Sequence, residues 1–240
     1  MDDNNLNYLV QSQLPTKYED TYYRGTFTAD SIAHAKQLKI NLNDRHPYFF
    51  SCIVNTLKSN ASPYAVGHWV AIIVRYTPTL NQLVLYYFDS FGDSPKKYLP
   101  IHKYIDNVRR VCARNYVNFK FDFMTRGLQC FSSKLCGIYS VYCVIKVCHT
   151  QRTVRLSLKN IFAKFTGSRR ENDKKMITYV KSKWPNDYCH DNSSENGNFK
   201  LDLDKLDKKS QFNPPPFCPK KTLGIKGCLK TCLCSSCLHM

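Results

Sequence analysis

The chain has no uninterrupted apolar run of the roughly eighteen residues that a membrane-spanning helix needs. Its opening stretch, with Asp2, Asp3, Glu19 and Asp20, holds no basic segment followed by an apolar one, so no secretory signal is expected. Acidic residues are scarce: 18 Asp and Glu stand against 35 Lys and Arg, a formal net charge of +17. That excess goes beyond what solubility requires and favours a polyanionic partner such as nucleic acid. Disorder throughout is excluded by 43% apolar and 13% aromatic residues. A length of 240 residues suits one domain with a substantial core plus an appendage. With no export signal in view, most of the 12 cysteines read as reduced, buried small hydrophobes of an intracellular protein.

Along the chain, residues 1–45 look mixed, with a polar N-terminus, an aromatic turn from Tyr22 to Phe27 and a helix start at Asp30-Ser31. Runs rich in β-branched and aromatic residues, Tyr48 to Thr56, Trp69 to Tyr76 and Leu83 to Phe88, predict three strands. The last two flank a hairpin-length connection, Thr77 to Gln82. In residues 95–116 the apolar spacing of Tyr98, Ile101, Ile105, Val108 and Cys112 predicts a helix. Phe119, Phe121 and Phe123 alternate with Lys120 and Asp122, which predicts a fourth strand buried on one face. The run from Ile138 to Val147 reads as a buried helix, and Val154 to Phe165 and Glu171 to Trp184 as two further helices with basic outer faces. Composition changes near residue 190. Residues 1–190 read as the folded domain and residues 191–240 as a flexible, cysteine-rich basic tail.

In Gln129-Cys-Phe-Ser-Ser-Lys-Leu-Cys136-Gly137 an amide side chain precedes a Cys-Gly pair that opens the buried helix. A thiol at a helix N-terminus faces unpaired N–H groups and the positive end of the dipole, which favour the nucleophilic thiolate. Gly67-His68-Trp69 opens one strand and Asp89 closes the next, so a base and a carboxylate are available to that sulfur. The hairpin between those strands returns the chain and can bring residues 68 and 89 to one sheet edge. Taken singly, each of these residues has an ordinary structural explanation: packing for the Cys-Gly pair, a core or edge place for the histidine, a turn for the aspartate. Only their convergence would make chemistry.

The order His68, Asp89, Gln129, Cys136, with Cys52-Ile-Val-Asn-Thr56 upstream, resembles the adenain-type cysteine proteases of adenoviruses and adenovirus-like mobile elements. The SUMO-specific proteases of the same clan are more distantly similar. The matching pieces span roughly residues 20–150. The resemblance implies an α+β fold, a papain-like core in permuted chain order with a mixed central sheet flanked by helices. It implies a catalytic base in His68, whose Nδ1–H is oriented by Asp89, and a nucleophile in Cys136. Gln129, with the Cys136 N–H, would then donate to the oxyanion, an effect typically worth roughly 3 to 4 kcal/mol per donor. Trp69 would pack on the imidazole and shield it from water. An aspartate in the second position fits the SUMO branch, whereas six residues between Gln129 and Cys136 fit the viral branch.

Further implications concern partners. Family members mature virion precursors in the host nucleus and in the virion, and are stimulated by DNA and a short basic peptide. No cofactor is required for the chemistry. Capsid or core precursors are the substrates expected here, and a monomer is the expected state. DNA would bind the basic region from Lys146 to Lys183, which holds eleven Lys and Arg against two acids, joined by Lys96, Lys97, Lys103, Arg109, Arg110 and Arg114. Cys112 is the nearest upstream thiol to a disulfide-linked peptide, though no motif aligns it. In the tail, Cys228, Cys232, Cys234, Cys237 and His239 supply soft ligands, but their spacing is not a familiar zinc motif. A protease of ubiquitin-like modifiers and a non-catalytic nucleic-acid-binding module are the alternative functions.

Overall fold

The computed structural model describes residues 3–14, 22–42, 46–62, 67–150 and 157–185. Their elements run α1 (Asp3–Gln11), β1 (Tyr23–Thr28), β2 (Tyr48–Asn55), β3 (Trp69–Thr77), β4 (Gln82–Asp89), α2 (Leu99–Arg114), β5 (Asn118–Phe123), α3 (Cys136–Thr150), α4 (Leu158–Ile161) and α5 (Arg169–Lys183). The strands form one sheet in the order β1-β2-β3-β4-β5. Both edge strands pair in parallel and the inner pairs are antiparallel, so the fold is the mixed α+β architecture expected.

Helices cover both faces of this sheet. Ala71 and Ile73 of β3 pack with α1, α3 and α5, whereas Val70, Ile72 and Val74 pack with α2. A strand buried on both sides has no polar face to show, which is why the residues from Trp69 to Val74 read as an unbroken apolar run. Helix α3 is embedded almost completely: Gly137 through Ile145, Val147 and Cys148 are all buried. Lys146 escapes the core by laying its ammonium over the rings of Tyr142 and Tyr179.

Several local expectations fail, each for a physical reason. Tyr22 to Phe27 is not a turn: Tyr23 to Thr28 add to the edge of β2, and an irregularity between Tyr23 and Thr26 holds Gly25 at φ +93°. No helix begins at Asp30-Ser31. Ser31 Oγ instead bonds back to both backbone groups of Thr28, and the Asp30 carboxylate takes the Ser59 N–H and O–H at 2.9 and 2.7 Å, so neither side chain is left to cap. The polar N-terminus contains a helix, α1, because Leu6, Leu9 and Val10 share a buried face. The helix expected over residues 95–116 starts only at Leu99, after a separate 3-10 turn, Pro95–Lys97, with Pro100 in its first turn. Of Val154 to Phe165, only Leu158–Ile161 is helical, capped by Ser157, and residues 151–156 lie outside the described residues. Helix α5 starts earlier than expected, at Arg169, because Ser168 and Glu171 form a capping box.

Among the described residues no helix is long and apolar enough to cross a membrane. Residues 191–240, with the cysteine-rich tail, lie outside the described residues.

Candidate active site

The β3–β4 hairpin sets the first half of the site. Its register pairs Thr77 with Gln82 and Val70 with Asp89, which brings the last residue of β4 beside the first residues of β3. His68, one residue before β3, is held by two hydrogen bonds to Thr56: its N–H donates to Oγ1 at 3.1 Å and its carbonyl accepts the Thr56 N–H at 2.8 Å. Gly67 beside it has no room for a side chain. A Cβ there would overlap Asn55 Oδ1, which is already occupied by the Leu57 N–H at 3.0 Å. The Asn55-Thr56 end of the upstream motif therefore positions the histidine.

His68 Nε2 lies 2.9 Å from Asp89 Oδ1. The carboxylate is fully buried and is also held by the Phe91 N–H at 2.8 Å and the Tyr87 O–H at 3.4 Å, so two donors fix it independently of the imidazole. This corrects the expected Nδ1–H contact. The ring presents Nε2, not Nδ1, to the acid. Cys136 is the first residue of α3, and its thiol is near enough to His68 to raise the pKa of the imidazole. Burial pulls the His68 pKa down, but hydrogen bonds and charge from Asp89 and Cys136 outweigh it and raise the value from 6.5 to about 9. The ring therefore carries a proton at neutral pH.

Gln129 is completely buried and its amide is oriented at both ends. Oε1 accepts the Ser90 O–H at 2.6 Å and Nε2 donates to the Ser133 carbonyl at 2.7 Å. An amide nitrogen carries two hydrogens, so one remains beyond the bond to Ser133. The Ser90 carbonyl also receives the Leu128 and Gln129 N–H groups at 2.8 and 3.0 Å. The residue after Asp89 thus anchors the segment that leads to Cys136. Gly92 completes the junction at φ +79°, where a Cβ would overlap the backbone of residues 125–127. Sequence reasoning missed Ser90, although its place directly after the carboxylate was the available signal.

The rings on the imidazole are Phe91, stacked at 4.7 Å, and Tyr98 at 6.2 Å. Trp69, expected in that position, instead joins the apolar cluster on the α3 side of the sheet. β3 alternates its side chains across the two faces, and Trp69 shares a face with Ala71 and Ile73. Phe131, 74% exposed, stacks on Phe91 at 5.6 Å and lies under the Arg169 guanidinium at 4.0 Å. Of the other cysteines, Cys112 is fully buried, its pKa pushed up to about 11 by that burial, which leaves it no surface for a linked peptide. Cys130 is partly exposed and its sulfur lies 3.3 Å from Ser132 Oγ. Lys159, Lys164, Arg170, Lys174, Lys175, Lys181 and Lys183 are exposed. The basic residues of α2 lie on the opposite layer, since α2 packs on the other face of the sheet from α3. Among the described residues no group of three or more His, Cys, Asp and Glu is placed to hold a metal.

No protein-family model and no curated protein matches the chain. Solved structures similar to it include a protease of ASFV, 16% identical with a TM-score of 0.45 over 69% of this chain and 65% of that one. A de-sumoylating protease is 13% identical with a TM-score of 0.42, over 78% of this chain and 82% of that one. The Rickettsia bellii effector protein RickCE is 12% identical with a TM-score of 0.42, over 75% and 94%. The chain thus spans just under two thirds of the ASFV protease.

Proposed function

We infer that the chain is a cysteine endopeptidase in which Cys136, His68 and Asp89 form the triad and Gln129 serves the oxyanion. The observation that carries this is the His68 imidazole bonded to a buried carboxylate at 2.9 Å, with the thiol at the head of α3 near enough to act on the ring's pKa. Cys136 Sγ attacks the scissile carbonyl carbon as its thiolate, beside a protonated His68. Negative charge gathers on the carbonyl oxygen, where the second Gln129 Nε2–H and the Cys136 N–H donate; the latter has no carbonyl one turn back within its helix. His68 passes its proton to the leaving amine as the C–N bond breaks. Water then attacks the thioester while His68 accepts its proton, and the acid and thiolate are released. Asp89 keeps the ring in register throughout.

The proposed substrates are structural precursors of a virus or virus-like element, cleaved during particle maturation, with the nucleus and the virion as places of action. The six-residue spacing between Gln129 and Cys136 supports this over modifier removal. DNA as a stimulating partner is proposed from the exposed lysines and arginines of α5 and its neighbourhood. A short basic peptide as a second activator is proposed from the family resemblance alone, and the burial of Cys112 argues against that residue as its attachment point. The experiment is incubation with candidate capsid precursors and with a SUMO C-terminal fusion, with and without DNA, followed by sequencing of the new N-termini. Precursor cleavage that needs Cys136 supports the reading. Cleavage of the fusion alone would transfer the enzyme to modifier removal, and cleavage of neither would leave the nucleic-acid-binding module.

A further inference from the structure

Helix α5 reaches the Gln129 segment through three side chains. Arg169, Asn172 and Asp173 stand at i, i+3 and i+4, the spacing of a single helical stripe. Arg169 Nη1 donates to the Gln129 carbonyl at 3.3 Å, Asn172 Nδ2 donates to the Leu128 carbonyl at 3.4 Å, and Asp173 Oδ2 accepts the Cys130 N–H at 3.1 Å. Three successive residues, with Gln129 in the middle, are tied by their backbone to one helix. The other oxygen of Asp173 accepts the Tyr139 O–H at 3.0 Å, and Tyr139 lies one turn into α3, on the helix that Cys136 opens. One carboxylate therefore joins the two segments that supply the oxyanion donors. Asn172 is fully buried and Asp173 is 7% exposed, an expensive placement in an otherwise lysine-rich helix unless these bonds are made. Burial pushes the Asp173 pKa up against the hydrogen bonds it accepts and the charge of Arg169.

We propose that Asp173, supported by Arg169 and Asn172, is a positioning residue that sets the separation of the Gln129 side-chain N–H from the Cys136 backbone N–H, and with it the strength of the oxyanion site. The proposal rests on the cysteine peptidase reading above. A merely structural residue would weaken every reaction of the site alike. A residue that positions oxyanion donors affects acyl transfer, in which charge develops on a carbonyl oxygen. It leaves alkylation by iodoacetamide unchanged, because there Sγ bonds to the methylene carbon as iodide departs and no oxyanion forms.

The test measures both reactions at Cys136 of the full chain by mass spectrometry, with iodoacetamide and p-nitrophenyl acetate as probes. The variants are Asp173→Asn, Tyr139→Phe and Arg169→Ala, with Gln129→Ala as the reference for a lost donor. Alkylation should stay within about twofold of wild type, while acylation falls by ~10-fold or more in Asp173→Asn and by on the order of 10²-fold in Gln129→Ala. Folded variants that keep both rates, or that lose both equally, overturn the proposal. If Asp173→Asn does not fold, Arg169→Ala, at the solvent end of the stripe, carries the same two outcomes. Failure of the peptidase reading looks different: wild-type Cys136 would then be alkylated no faster than Cys130, with or without His68.

Discussion

Replacing Asp89 by asparagine keeps the shape of the buried acceptor and removes its charge, so it isolates what the carboxylate does to His68. In the wild-type site burial depresses the imidazole, and the hydrogen bonds and charges of Asp89 and Cys136 reverse this, raising the pKa from 6.5 to about 9. At about 1.36 kcal/mol per pKa unit that rise favours the charged ring by roughly 3 kcal/mol. Without the charge on residue 89 the burial remains and only Cys136 still opposes it, so His68 should titrate clearly below 9. The same energy enters stability. A folded-state pKa above the unfolded one stabilises the fold fully below about 6.5, and that contribution is lost as pH rises through about 9. The assay is a pH titration of 13Cε1-labelled histidine by NMR, with His68 assigned through His68→Gln, beside urea unfolding at about pH 6 and about pH 9.5. The stability difference between wild type and His68→Gln should shrink by roughly 3 kcal/mol across that window, and should shrink distinctly less when both carry Asp89→Asn. A His68 that still titrates near 9 in Asp89→Asn would refute the reasoning.

Other perturbations probe neighbouring parts. Cys136→Ser and His68→Ala should each abolish precursor cleavage while circular dichroism and melting temperature stay close to wild type. Gly67→Ala should push the Asn55 amide off the Leu57 N–H and cost on the order of 1–3 kcal/mol in thermal unfolding, together with His68-dependent activity; Asn55→Gly in the same chain should recover part of both. Ser90→Ala should free the Gln129 amide to rotate and lower kcat by ~10-fold with KM nearly unchanged. Binding of a mixed-sequence duplex, followed by fluorescence anisotropy, should weaken by on the order of 10³-fold between about 50 and 200 mM salt if six phosphates are contacted; a flat response would remove DNA as a partner.

The approach of His68 to Asp89 was legible because it depends on a local event. Two apolar runs joined by a short turn fix a register, and the register fixes which ends meet. Cys136 was legible for a similar reason, since the buried helix begins at the Cys-Gly pair. The supports around them were not. Ser90 meets Gln129 across 39 residues and Asp173 meets Cys130 across 43, so no periodicity in either segment announces the contact. Asp173 and Asn172 sit in a basic run whose composition describes its solvated face and hides the buried stripe. The alternation of β3 decides between Trp69 and Phe91 as the ring on the imidazole, and adjacency in sequence suggested the wrong one. Gly25 and the polar residues of β1 conceal an edge strand whose stability comes from pairing with β2.

The most direct test compares two thiols in one molecule. Cys130 and Cys136 are both partly exposed, whereas the other cysteines of the described residues are buried, so brief iodoacetamide treatment near neutral pH followed by peptide mapping reads their reactivities side by side. The account predicts that Cys136 is modified at least ~10-fold faster than Cys130 and loses that advantage in His68→Ala. Equal modification of the two, unchanged by His68→Ala, would contradict it.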